Sequence, residues 1–362
     1  MKKYMYCMLV FFLVFVSCTK ENQEQKVEYI NQSLEVLKDK ATLETIEKMG
    51  FDTEKYNVFI TDKYFIVEED VAISKRIVKN YRESKQTAVK ANLAIDLINT
   101  FEITYYLHPS TNTINNSSYW LDATKNAMSN WNNILNCSVN FVEVFSMQNA
   151  DLVVYSDEST STPISHRNLP GSTWARATFP ENGEVGGIIS INDIEPNSNV
   201  TQNGRTGIME HEIGHCLGFH HSHIGNTTDT EVLCSTSLND PSSVMRTPYN
   251  GTDYIEINEN DKRAARYLYS VYSNNFPTLR VTSGTWSSRR GTKGCKIEML
   301  DDKGFDWYLM EVKTGTYSKE ICGLREGEFI NFPIPLNFSY VEITFYNYKK
   351  DTQSVVTTYS NL

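Results

Sequence analysis

Residues 211–221 read HEIGHCLGFHH. The chain has seven histidines, and four of them fall within these eleven positions, with His223 two residues further on. His211 and His215 are four apart, so on a helix they share one face and can reach one ion. Glu212 is rotated by about 100° from His211, close to the same place but not aligned as a further helical ligand. This is the H-E-x-x-H arrangement of two zinc ligands and a general base. A catalytic zinc takes a third protein ligand and keeps one position open for water. On an unbroken helix His221 would point about 120° away from His215. Gly218 removes the difficulty, because glycine ends a helix cheaply in the left-handed conformation and lets the chain swing His221 back. The string therefore demands a helix that stops at Gly218 and three imidazoles around one metal. His220 and His223 fit no ligand position and read as cleft or surface residues.

The extended string, with Ser243-Val244-Met245 downstream, resembles the metzincin zinc endopeptidases. More narrowly, HEIGHC followed by GFxH is similar to the dual-action HEIGH metallopeptidase family, over about Phe101 to Tyr272. The resemblance implies an α/β (α+β) catalytic domain with a mixed sheet and an active-site helix. It also implies Zn2+ held by His211, His215 and His221, Glu212 as catalytic base, and Met245 in a tight turn beneath the metal. Astacin-like members carry a tyrosine two residues after that methionine. Here the position is Thr247, and Tyr249 is the candidate to stabilise the transition state. The stretch TWARATFPENGEVGGIISIND is laid out like the strand IV region of matrix metalloproteinases. Arg176 and Ser190 stand where those enzymes place structural zinc histidines, so a second zinc is not carried over. Calcium is admissible but not indicated. No cysteine lies between Thr19 and Phe101, which excludes a cysteine switch.

The function that follows is hydrolysis of peptide bonds in extracellular proteins by a zinc-activated water. A substrate strand would add to a sheet edge, and Gly186–Asn192 is the candidate edge. Two readings of other classes compete: a surface-anchored binding lipoprotein with a vestigial zinc site, and a zinc-stabilised structural module. An intact Glu212 argues against the first. Structural zinc sites favour closed, cysteine-rich sets of four, which argues against the second. A net charge of −10 argues against a nucleic-acid partner, which would need a basic footprint.

The N-terminus has Lys2 and Lys3, then an apolar run from about Met5 to Val16. That is the layout of a signal peptide. It stops at Phe15-Val16-Ser17-Cys18 and resembles a bacterial lipoprotein signal, which implies cleavage before Cys18, a lipid on that cysteine and a place at the cell envelope or surface. Without the lipid the chain would be secreted. Cys137, Cys216, Cys234, Cys295 and Cys322 then remain in an oxidising compartment. Cys216 with Cys234 and Cys295 with Cys322 are the pairs nearest in sequence.

The chain divides into a signal peptide (1–17), a small α+β pro-segment and linker (18–97), the peptidase domain (98–273) and a small all-β sandwich (274–362). Within the pro-segment, Gln25–Met49 has helical apolar spacing, and two short strands flank Thr61-Asp62-Lys63. Lys75–Lys90 is basic, either an exposed connector or one solvated helix face. The segment suits latency, with Asp52, Asp62, Asp70 or Asp96 supplying a blocking carboxylate. A permanent spacer is the alternative. No partner for the β domain can be named from its residues.

Overall fold

The computed structural model describes residues 34–83, 98–112, 114, 118–194, 199–222, 240–246 and 256–269, and in the C-terminal part 278–284, 292–301, 309–314, 317–322, 324, 326–335, 340–346 and 356–360. Cys18, Asp96, His223, Cys234, Thr247 and Tyr249 lie outside the described residues.

The expected helix over Gln25–Met49 is shorter where it is described. A strand, β1 (Glu35–Val36), precedes α1 (Lys40–Lys48). Asp39 sets the start, its carboxylate accepting the Thr42 N–H at 3.1 Å as an N-cap. Three strands follow rather than two: β2 (Phe59–Ile60), β3 (Tyr64–Val67) and β4 (Val71–Ser74). The basic stretch is not wholly a connector, since Lys75–Glu83 forms α2. Its Ile77, Val78 and Tyr81 are buried, while Arg76, Lys79 and Arg82 face outward. Those apolar residues pack with Phe51, Phe65, Ile73 and Phe179 in one core. Phe179 comes from the peptidase segment, so this core closes across the expected boundary at 97.

The peptidase segment runs β5 (Glu102–Leu107), α3 (Tyr119–Asn132), β6 (Asn140–Glu143), β7 (Leu152–Ser156), β8 (Ala175–Thr178), β9 (Ile188–Ile191), α4 (Gln202–Cys216) and α5 (Glu259–Leu268). Its strands and those of the N-terminal segment make one sheet, ordered β1-β2-β3-β4-β8-β9-β7-β5-β6. β8 and β9 are antiparallel, and β9, β7, β5 and β6 run parallel to one another. The expected edge strand is thereby corrected. β9 lies inside, between β8 and β7, and its Ile189, Ser190 and Ile191 are buried. The border of the peptidase sheet is β8, and β4 pairs with it in parallel through Val71↔Ala177 and Ala72↔Thr178. The run VGGIISIND has the continuous apolar character of an inner strand, which was the available signal.

Trp120, Ala123, Thr124, Ala127, Met128 and Trp131 form a buried stripe on α3, at the spacing that turns one face inward. Trp131 also donates from its indole to the Glu210 carbonyl on α4 at 3.1 Å. Truncating a buried tryptophan costs about 3–5 kcal/mol, so this stripe fixes α3 against the metal-site helix.

The C-terminal part is all β. Strands β10 (Thr278–Gly284), β11 (Thr292–Asp301) and β14 (Phe329–Pro335) form one antiparallel sheet. Strands β12 (Leu309–Thr314), β13 (Tyr317–Cys322), β15 (Tyr340–Tyr346) and β16 (Val356–Ser360) form another. Cys295, Ile297, Met299 and Phe332 of the first share a core with Met310, Val312, Val341 and Ile343 of the second, which is sandwich packing. β13 and β16 lie in stretches too polar to stand out as strands.

Candidate metal centre

Helix α4 starts at Thr201, whose hydroxyl caps the Gly204 N–H at 2.9 Å. From Gly204 to Cys216 every residue is buried, so polar groups on it must find partners or a ligand. The helix ends as the glycine required. Gly218 has φ 94°, its N–H bonds to His215 O at 2.9 Å, and Phe219 N–H bonds to Gly214 O at 2.9 Å. That pair of bonds is a Schellman ending, and it returns the chain so that His221 meets the two helical histidines.

The Nε2 atoms of His211, His215 and His221 lie 3.0–3.1 Å from one another. A fourth group completes the cluster. Asp70 Oδ2 is 3.6 Å from His211 Nε2 and 3.3 Å from His221 Nε2, and these four side chains form the one metal-type cluster among the described residues. A tetrahedron of nitrogen and oxygen ligands about 2.0–2.1 Å from zinc has edges of roughly 3.3 Å, so the donor set fits that ion. Asp70 is therefore the carboxylate, of the three candidates among the described residues, that reaches the histidines. Asp62 is exposed on the far turn of the hairpin, and Asp52 accepts the Lys55 N–H instead.

Each imidazole is oriented through its other nitrogen. His211 Nδ1 bonds to Val244 O and His215 Nδ1 to Phe219 O, both at 2.7 Å. His221 Nδ1 bonds to Glu68 Oε2 at 2.7 Å. Glu68 and the Val244 carbonyl were not found from sequence, because both depend on contacts distant in the chain.

Glu212 is buried, and its Oε2 has no hydrogen-bond partner among the described residues. Burial, and then the charge of Asp70, push its carboxyl well above the ordinary range. Beside it a cleft is lined by Tyr56, Glu69, Asp70, Trp174, His211 and Glu212.

Met245 lies in the turn beneath the cluster. Asp261 builds that turn: it accepts Ser243 Oγ at 2.6 Å and Val244 N–H at 2.9 Å. The same carboxylate accepts Asn258 N–H at 3.0 Å, completing the capping box of α5. The cap is readable from N-x-x-D, but the link to the turn is not. Gly214, between the two helical histidines, leaves room for this methionine, since a Cβ there would overlap Met245 Sδ. Gly214→Ala is expected to lower thermal stability and zinc retention together, because Met245 carries the His211 partner Val244 beside it. Unchanged melting temperature and zinc content would show that the turn yields freely.

Other expected residues fall elsewhere. His220 is neither at the surface nor open to the cleft. It is buried against the Phe51 and Phe179 rings, at 4.4 and 5.0 Å between centroids, and burial pulls its pKa down to about 4. Arg176 is buried and donates to Ser165 O at 3.1 Å and to Glu69 O at 3.0 Å. Cys216 is a free, buried thiol, so it does not bridge to Cys234; it packs in the core behind α4. The Cys295–Cys322 pairing turns on the Cys322 side chain, outside what is described.

A helix carrying two histidines and a glutamate, a glycine stop and a third histidine over a methionine turn define a zincin-type metallopeptidase site. Residues 97–270 match the model of the matrixin peptidase family, a metzincin family. No curated protein matches the chain. Among solved structures, a catalytically inactive OgpA from Akkermansia muciniphila, in complex with an O-glycopeptide substrate, is similar at 10% identity. It covers 76% of this chain and 96% of that one, with a TM-score of 0.25. Wild-type OgpA is similar at 11% identity over 76% of this chain and 95% of that one, with a TM-score of 0.23. Nothing about this chain's substrate follows from them.

Proposed function

We propose that the chain is a zinc-dependent endopeptidase acting on extracellular proteins, made as a latent precursor whose N-terminal segment blocks the site. The observation that carries this is the convergence of three imidazole nitrogens and the Asp70 carboxylate on one point, with Glu212 beside them. His211, His215 and His221 would hold the zinc, which supplies a water of lowered pKa and polarises the scissile carbonyl. Glu212 accepts the proton of the attacking water and returns it to the leaving amine. An extended peptide would take the outer edge of β8 by strand addition.

Both requirements are obstructed by the N-terminal segment. With zinc bound, the Asp70 carboxylate would be a fourth ligand in place of water. β4 pairs with the β8 edge. Release would follow cleavage beyond α2, where Lys85 and Lys90 offer sites to a trypsin-like enzyme. Native mass spectrometry of the purified chain tests the metal reading. One zinc per chain is expected, and a chain that binds no zinc contradicts it.

For localisation we propose a lipid on Cys18. Among the described residues no helix is long and apolar enough to cross a membrane. Cys18→Ala is expected to move the protein from the membrane to the soluble fraction, since one lipid attachment point would be the anchor. Unchanged membrane fractionation would count against acylation.

A further inference from the structure

We propose that Glu68 is a positioning residue for the metal centre, so that the N-terminal segment completes the site it blocks. The inference rests on reading the three histidines as zinc ligands.

A metal-bound imidazole is aimed by the hydrogen bond on its other ring nitrogen, and removing such a partner typically costs about 10–100-fold in metal affinity. For His211 and His215 those partners are backbone carbonyls of the peptidase segment itself, Val244 and Phe219. For His221 the acceptor is a carboxylate 153 residues upstream, at 2.7 Å. A carboxylate is the stronger acceptor for an N–H of this kind. It also fixes the tautomer, with the proton on Nδ1 and the Nε2 lone pair facing the metal.

The hairpin tip is built to hold Glu68 in place. The pair Val67↔Val71 leaves three residues in the turn, Glu68, Glu69 and Asp70. Glu68 and Glu69 have φ of 50° and 76°, in the left-handed region that costs a non-glycine residue free energy and needs support from its surroundings. That support is visible. Glu68 Oε1 accepts the Asp52 N–H at 2.7 Å. Arg176 donates to the Glu69 carbonyl at 3.0 Å, and Ala177 N–H bonds to Asp70 O at 2.9 Å. The turn thus delivers two carboxylates to one imidazole: Glu68 to Nδ1 of His221, and Asp70 to the side where Nε2 faces the metal, at 3.3 Å. When the segment departs, His221 loses this acceptor along with the block. The precursor therefore holds zinc more tightly than the processed enzyme, for a reason separate from Asp70.

The test is zinc affinity of the full chain by competition with a chromophoric chelator, in wild type, Glu68→Ala, Asp70→Ala and the double variant. Glu68→Ala is expected to weaken zinc binding by about 10–100-fold, and by at least about tenfold again when Asp70 is already alanine. The spectroscopic signature comes from histidine labelled with nitrogen-15 in the zinc-loaded chain. The Nδ1–H resonance of His221 should move, while those of His211 and His215 stay. Glu68→Gln preserves shape and guards against misfolding of the alanine variant; it should still weaken zinc binding by about threefold or more and move the same resonance. The proposal is overturned if Glu68→Ala on the Asp70→Ala background, or Glu68→Gln where the alanine variant does not fold, leaves both zinc affinity and the His221 resonance unchanged. A wild-type chain that binds no zinc refutes the metal reading instead, which is a different failure.

Discussion

Glu212→Gln, in the chain freed of its N-terminal segment, is expected to lower peptide hydrolysis by about three to four orders of magnitude while leaving zinc content unchanged. The size follows from the task of the residue, because general acid–base catalysis contributes about 10²–10⁴-fold and here one carboxylate serves in both directions. The substitution is nearly isosteric, and Glu212 is not among the converging ligands, so the three imidazoles keep their geometry. Loss of zinc in this variant would mean that Glu212 holds the metal instead of the proton. Retained hydrolysis at anything near the wild-type rate would remove it from the mechanism.

The second large effect concerns latency. A chain beginning at Ala91 is expected to hydrolyse peptides at least about 100-fold faster than the full chain, since losing the segment frees both the fourth ligand direction and the β8 edge. Two states separated by a factor of 100 differ by about 2.7 kcal/mol, a modest demand on a segment that shares a core with Phe179, pairs β4 with β8 and brings two carboxylates to the histidine cluster. Asp70→Ala in the full chain should give a smaller rise, because β4 still pairs with β8 and a substrate strand cannot. Equal activity of the full and shortened chains on the same peptide would make the segment a spacer. A rise in Asp70→Ala as large as that of the shortened chain would show that the β8 edge is not where substrates pair.

What could be read in advance depended on the reach of the signal along the chain. The glycine stop at 218 and the three ligands are written within a few residues of themselves, and local backbone chemistry decides them. The α3 stripe is equally local, with its period carried by Trp120, Ala127 and Trp131. The start of α1 was misjudged because apolar spacing continued upstream of Asp39, whereas the cap decided where the helix begins. The sheet edge was misplaced for a longer-range reason. Strand order is set by pairing between distant segments, and β4 reaches β8 across about a hundred residues of chain. Asp70 could be shortlisted by residue type but not chosen, and Glu68 could not be suspected at all. Both matter only because the three-residue turn at 68–70 is driven into the histidines by its neighbours.

The central claim is that the imidazole cluster is a working zinc peptidase centre under N-terminal control. The most direct measurement is casein hydrolysis by the chain after limited trypsin cleavage beyond α2, assayed with a chelator, then with zinc restored. The account predicts little hydrolysis before cleavage, strong hydrolysis after it, abolition by the chelator and recovery with about one zinc per chain. Hydrolysis that persists in the chelator once the trypsin itself is inhibited, or zinc-loaded cleaved chain that cuts nothing, would contradict it.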